Sequence, residues 1–163
     1  MRQFEAAVLA LADTLRAAGL RIASAESCTG GLVAAACTSV AGSSDWFERG
    51  FVTYSNDAKM QMLGVDAARI ARHGAVSAEV AAAMAEGALA HSKADLAVAV
   101  TGIAGPGGAT PGKPVGTVWL AVARNGGATQ TELLQLGGDR TSIREQTVQR
   151  ALQCLSWRAG QPP

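Results

Sequence analysis

The run Asp95–Val100 (DLAVAV) is the feature that most constrains this chain. After its leading aspartate it is apolar without alternation, which suits a strand covered on both faces. Such a strand needs a layer above it and a layer below it, and the rest of the sequence offers candidates for both. Phe4, Val8, Leu11 and Leu15 recur at helical spacing before Gly19, which predicts a helix over 3–18. Leu20–Ala25 reads as a short strand, Gly30–Ser39 as a helix packed through small residues, and Gly50–Tyr54 as a strand. Ser55 or Asn56 caps a helix running to Leu63, Asp66 caps one ended by Gly74, and Ser77 caps one running to Ser92. Val115–Ala123 and Gln130–Leu136 are two further strands, and Asn125-Gly126-Gly127 between them is a strong hairpin signal. Asp139 opens a last helix to about Leu155, after which residues 156–163 read as a frayed tail. Strands alternating with helices, plus one hairpin, define an α/β fold: a three-layer α/β/α sandwich with a mixed sheet that includes a C-terminal β-hairpin. There is no internal repeat and no linker, so residues 1–163 are expected to form a single domain.

Composition narrows the function. Of 163 residues, 48% are hydrophobic and 17% charged, which excludes a disordered chain. At this length about two-thirds of the unfolded surface can be buried, so no disulfide or metal staple is needed. A net charge of +1 speaks against a nucleic-acid partner, and no apolar run is long enough to span a bilayer. Cys28, Cys37 and Cys154 are too few and too scattered for a disulfide framework. The amphipathic N-terminus carries Glu5 and Asp13 and is not a signal peptide. A cytoplasmic location is therefore expected. His73 and His91 are far apart and belong to no ligand cluster, so neither a metal nor a Ser-His-Asp triad is expected.

Several residue patterns can carry chemistry. Ala25–Gly31 (AESCTGG) lies between a strand and a helix, where the Ser27 hydroxyl can project from the sheet edge. The amides of Thr29, Gly30 and Gly31 can then bind an oxyanion or a phosphate. The plainer reading is a helix cap with glycines for tight packing. Lys59 falls in the first turn of a predicted helix, where the dipole opposes a cation. With burial, that lowers a lysine pKa enough for the amine to accept a proton from a serine. The alternative is a solvated lysine pairing with Asp57. Tyr54, the only tyrosine, either ends a strand at the core edge or serves a substrate. Thr101 and Gly102 stand where a predicted strand gives way to a long Gly/Pro loop, and ligands collect at such strand ends. Arg140 and Arg144 share a face one turn apart and can meet either a neighbouring carboxylate or a substrate anion.

Taken together, the chain resembles the CinA C-terminal domain family of nicotinamide-nucleotide amidohydrolases. The resembling segments are AESCTGG (25–31), AGSSDWFERGFVTYSNDAKMQMLGV (41–65), GAVSAEVAAAMAEGAL (74–89), TGIAGPGG (101–108), KPVGTVW (113–119) and GDRTSIREQTVQRAL (138–152). The resemblance implies hydrolysis of nicotinamide mononucleotide to nicotinic acid mononucleotide and ammonia by a serine–lysine mechanism, without metal or other cofactor. It places the catalytic serine on Ser27, the lysine on Lys59 and the tyrosine on Tyr54. Glu26 and Thr101 fall on further active-site positions, and the arginine of the GDR motif falls on Arg140. It also implies a stand-alone amidohydrolase acting as a homodimer in pyridine-nucleotide recycling. Two alternatives stay open: an amidase using Cys28 as nucleophile, and a nucleotide-binding or interaction module without turnover.

Overall fold

The computed structural model describes residues 1–163. After a single 3₁₀ turn at Arg2–Phe4, the elements are α1 (Glu5–Ala18), β1 (Ile22–Glu26), α2 (Leu32–Cys37), β2 (Phe47–Val52), α3 (Asn56–Leu63), α4 (Ala67–His73), α5 (Ala78–Ala90), β3 (Leu96–Gly102), β4 (Thr117–Arg124), β5 (Gln130–Gln135) and α6 (Arg140–Ala159). The caps are local chemistry. Ser55, Asp66, Ser77 and Asp139 each accept a backbone amide at the start of α3, α4, α5 and α6.

The strands form one mixed sheet in the order β2-β1-β3-β4-β5. β1 runs parallel to both β2 and β3, whereas β4 is antiparallel to β3 and β5. β3 sits at the centre with Leu96–Thr101 all buried, as its unbroken apolar run requires. The two faces of the sheet differ. Ile22, Leu96, Val98, Val100, Leu120 and Val122 point toward α1, α2 and α6. Ala23, Ala25, Ala97, Ala99, Ala121 and Ala123 point the other way and admit the small residues of α5. α5 then meets α3 through Gly87, where a Cβ would fall 2.1 Å from the Leu63 carbonyl oxygen.

Two expectations are corrected. β2 spans Phe47–Val52 rather than 50–54, so Tyr54 lies outside the strand and is 60% exposed. The Glu48-Arg49-Gly50 stretch looks like a break, but β2 is an edge strand whose exposed residues tolerate charge. The final helix does not stop near Leu155 with a frayed tail. It continues to Ala159 because Arg158 and Ala159 are themselves buried. Arg158 donates to the Pro162 carbonyl (2.7 Å), and Arg124 donates to the carbonyls of Arg158 and Gln161, which fastens the end of the chain to β4.

Candidate active site

Three parallel strands end at one place. The sheet ladder runs one residue past β1 on either side: the Ser27 amide donates to the Val100 carbonyl (3.0 Å), and the Thr53 amide donates to the Glu26 carbonyl (2.8 Å). These bonds fix Ser27 and Thr53 at the carboxyl edge, where open α/β sheets hold their ligands. The chain then turns sharply into α2. Gly30 (φ +57°) and Gly31 (φ +99°) make that turn in succession, a backbone that residues with a Cβ rarely adopt.

Lys59 lies in the first turn of α3, and helical side chains lean toward the N-terminus of their helix. That lean carries Nζ back over the ends of β1 and β2. Nζ lies 3.0 Å from Ser27 Oγ and 2.9 Å from the Thr53 carbonyl oxygen, with Lys59 only 1% exposed. No carboxylate pairs with it. Burial draws its pKa below the ordinary lysine value, because the cation loses hydration and gains no counter-charge. Lys59 therefore gives up its proton more readily than a solvated lysine does.

Glu26 is equally buried but fully engaged. Its carboxylate accepts from Thr29 Oγ1 (2.7 Å), Ser24 Oγ (3.2 Å) and the amides of Val33 (2.8 Å) and Ala34 (3.0 Å). Those amides belong to the first turn of α2, so Glu26 caps that helix from the preceding strand. The Glu26 carboxylate and the Thr29 hydroxyl are thus taken up by hydrogen bonds within the chain. The same holds for Thr101, whose hydroxyl donates to the Ala75 carbonyl (2.9 Å) and ties the α4–α5 junction to β3. Gly102 is small for packing: a Cβ there would meet Val118 Cγ2 at 2.6 Å and the Thr117 carbonyl at 2.9 Å.

Backbone amides of the turn remain available. The Gly30 amide closes the turn on the Ser27 carbonyl (3.0 Å), whereas those of Thr29 and Gly31 donate to no protein oxygen. Arg140 reaches across from α6, donating to the Gly105 carbonyl (2.8 Å) and to Tyr54 Oη (3.0 Å). Tyr54, Arg140 and the Gly/Pro loop thus form one connected wall. Arg144 does not share their contacts; it donates to the carbonyls of Cys28 and Thr29.

Cys28 faces away from this chemistry. It packs with Ala104, Val118, Leu134 and Ile143, and burial pushes its thiol up to about 11. At neutral pH almost no thiolate forms, which removes the driving species of a cysteine nucleophile. No group of three or more His, Cys, Asp or Glu side chains is placed to hold a metal ion, and no helix is long and apolar enough to cross a membrane. A larger groove, of about 740 Å³, opens elsewhere between β5 and α6. Its polar lining includes an Arg150–Glu132 ion pair, Gln130, Thr131, Gln153 and Cys154, whose thiol burial pushes up to about 11. No serine or lysine lines it.

Solved structures share this fold over nearly the whole chain. The competence/damage inducible protein CihA of Agrobacterium tumefaciens superposes with a TM-score of 0.93 at 47% identity, covering 97% of this chain and 96% of that one. A CinA superfamily protein of Escherichia coli gives 0.90 at 39% identity, covering 94% and 90%. The model of the CinA C-terminal domain matches residues 5–158, and the chain belongs to that family. The nicotinamide-nucleotide amidohydrolase PncC of Escherichia coli K12 is 54% identical over 88% of this chain and 87% of its own length. A CinA-like protein of Akkermansia muciniphila is 59% identical over 82% of this chain, which spans only 32% of that longer protein.

Proposed function

We propose that this chain hydrolyses the carboxamide of nicotinamide mononucleotide, giving nicotinic acid mononucleotide and ammonia, with Ser27 as nucleophile and Lys59 as general base. The observation that carries the reading is the buried Lys59 amine 3.0 Å from Ser27 Oγ with no carboxylate to hold it charged. The similarity to an amidohydrolase of that substrate supports the choice of amide.

In the first half-reaction Ser27 Oγ attacks the carboxamide carbon while its proton passes to neutral Lys59 Nζ. The carbonyl oxygen becomes an oxyanion, for which the Thr29 and Gly31 amides are the donors at hand. Collapse breaks the C–N bond, and the Lys59 proton leaves with the nitrogen as ammonia. A water then attacks the seryl ester, giving one proton to Lys59 and restoring Ser27 as the acid departs. Thr53 contributes its carbonyl, which holds Nζ in place through both halves. Arg140 is the cation placed to meet the phosphate, with Tyr54 beside it. We further propose that residues 1–163 act as one domain in a cytoplasmic homodimer working in pyridine-nucleotide recycling.

The direct test is ammonia release from nicotinamide mononucleotide by the purified protein, with and without EDTA. Turnover that survives the chelator is expected; loss on chelation with recovery on adding a divalent ion overturns the metal-free route, and no turnover at all overturns the activity. Nicotinamide riboside, lacking the phosphate, is expected to be a poor substrate. Arg140→Ala should raise KM for the mononucleotide about tenfold or more, as the loss of a charged hydrogen bond predicts.

A further inference from the structure

We infer that Arg144 is a positioning residue: it aims the peptide groups of the Ser27 turn rather than binding the substrate phosphate. This rests on the amidohydrolase reading of the same site and assigns its donor geometry to a side chain on α6.

Arg144 Nε donates to the Cys28 carbonyl (3.1 Å) and Nη2 to the Thr29 carbonyl (2.9 Å), across more than a hundred positions of sequence (116 and 115). The C=O and N–H of a trans peptide point in opposite directions. Holding the Cys28 carbonyl toward α6 therefore turns the Thr29 N–H away from it, and holding the Thr29 carbonyl does the same to the Gly30 N–H. The Gly30 N–H then closes the turn on Ser27, while the Thr29 N–H is left without a protein acceptor. From the other side Glu26 grips Thr29 through its hydroxyl (2.7 Å), so the turn is clamped between a carboxylate and a guanidinium.

The charge has no other employment. Arg144 forms no ion pair with any carboxylate, including Glu145 and Asp139. A cation on two peptide oxygens polarises those peptides and strengthens their N–H groups as donors. The planar fork of arginine spans two adjacent carbonyls, which a lysine ammonium cannot reproduce. The pair Arg140 and Arg144, similar in sequence, thus divides: Arg140 meets Tyr54 and the loop, and Arg144 meets the backbone.

Arg144→Gln and Arg144→Lys test this in the full chain, beside the unaltered protein. With nicotinamide mononucleotide, Arg144→Gln should lower kcat about 100-fold, the effect of losing an oxyanion donor, with little change in KM. The preference for the mononucleotide over the riboside and the position of the rising pH limb should both stay where they are. Arg144→Lys should recover only part of kcat. A raised KM with kcat intact and a lost preference for the phosphate would make Arg144 a phosphate ligand and overturn the inference; so would two variants indistinguishable from the parent. Amide hydrogen exchange by NMR reads the same geometry without turnover. The Gly30 amide should lose protection about tenfold or more in Arg144→Gln while the β1 and β3 amides keep theirs; unchanged protection at Gly30 overturns the inference. If the unaltered protein releases no ammonia, the amidohydrolase reading fails and the exchange result alone decides Arg144. If Arg144→Gln does not fold, Arg144→Lys carries both readouts.

Discussion

Glu26 and Lys59 are both buried against the turn that carries Ser27, each about 1% exposed, and their surroundings differ. Glu26 has four donors for its two oxygens, two of them first-turn amides of α2. Lys59 has one carbonyl and one hydroxyl, and no opposite charge. A buried ion whose hydrogen bonds are all met stabilises a fixed geometry. A buried ion left short of partners gives up its charge instead, and its pKa moves. An ammonium has three donors, and only two acceptors face it here. Nζ donates to Ser27 Oγ and to the Thr53 carbonyl, which leaves one ammonium donor unmet and the charge unbalanced. Glu26 is thus saturated with donors, whereas Lys59 lacks a counter-charge.

The strongest way to break this contrast is to remove the exchanging pair. Ser27→Ala should abolish deamidation with the fold intact, as ammonia release and circular dichroism will show. Lys59→Ala should lower kcat by about 10³-fold, the middle of the range that general-base catalysis contributes. Lys59→Arg should be nearly as damaging, because arginine keeps the charge and cannot accept the proton. An active Lys59→Arg protein with an unchanged pH profile would leave Lys59 a mere cation. The parent profile should rise with pH as Lys59 deprotonates, and Lys59→Ala should lose that limb.

Removing the saturated partner should be read first in stability. Glu26→Ala strands two hydroxyls and two amides, and a cost of about 3 kcal/mol in urea unfolding is expected from buried donors left unmet. Activity should fall with it, since Thr29 loses its anchor. An equally stable Glu26→Ala protein would show that the carboxylate is not holding α2.

A smaller effect comes from the pH linkage of Lys59. The folded state lowers the Lys59 pKa from 10.5, so below that value the unfolded chain binds a proton that the folded chain lacks. Stability from this group therefore rises with pH through the window between the depressed pKa and 10.5. Lys59→Met should flatten the stability–pH slope in that window, and a slope that persists would place its origin elsewhere. The smallest change is expected for Cys28→Ala, at about 1 kcal/mol of lost packing with turnover retained. Loss of activity there would reopen the thiol as nucleophile.

Much of this was readable in the sequence because it is encoded locally. Ser55, Asp66, Ser77 and Asp139 announce their helices within four residues, and Asn125-Gly126-Gly127 joins β4 to β5 as its turn chemistry predicts. The proximity of Ser27 and Lys59 followed from placing both at the carboxyl ends of strands. The partners of Glu26, Thr101 and Arg144 were not readable. Glu26 caps α2 from seven and eight residues upstream, beyond the reach of any capping motif, and Thr101 and Arg144 find their carbonyls across 26 and more than a hundred positions (115 and 116). A polar residue at a strand end looks the same in sequence whether it faces a substrate or a distant carbonyl. Only the fold tells the two apart.

Gly87 gives the catalytic wall a setting that lies outside it. α3, which carries Lys59, rests on α5 where the missing Cβ of Gly87 lets the Leu63 carbonyl come in. The close approach of the two helices at Gly87 thus helps to seat the helix that carries Lys59. One methyl group at Gly87 would act as a shim under α3, lifting the amine toward water. On the proposed mechanism, an apolar joint that holds no reacting group thus bears on the seat of the base.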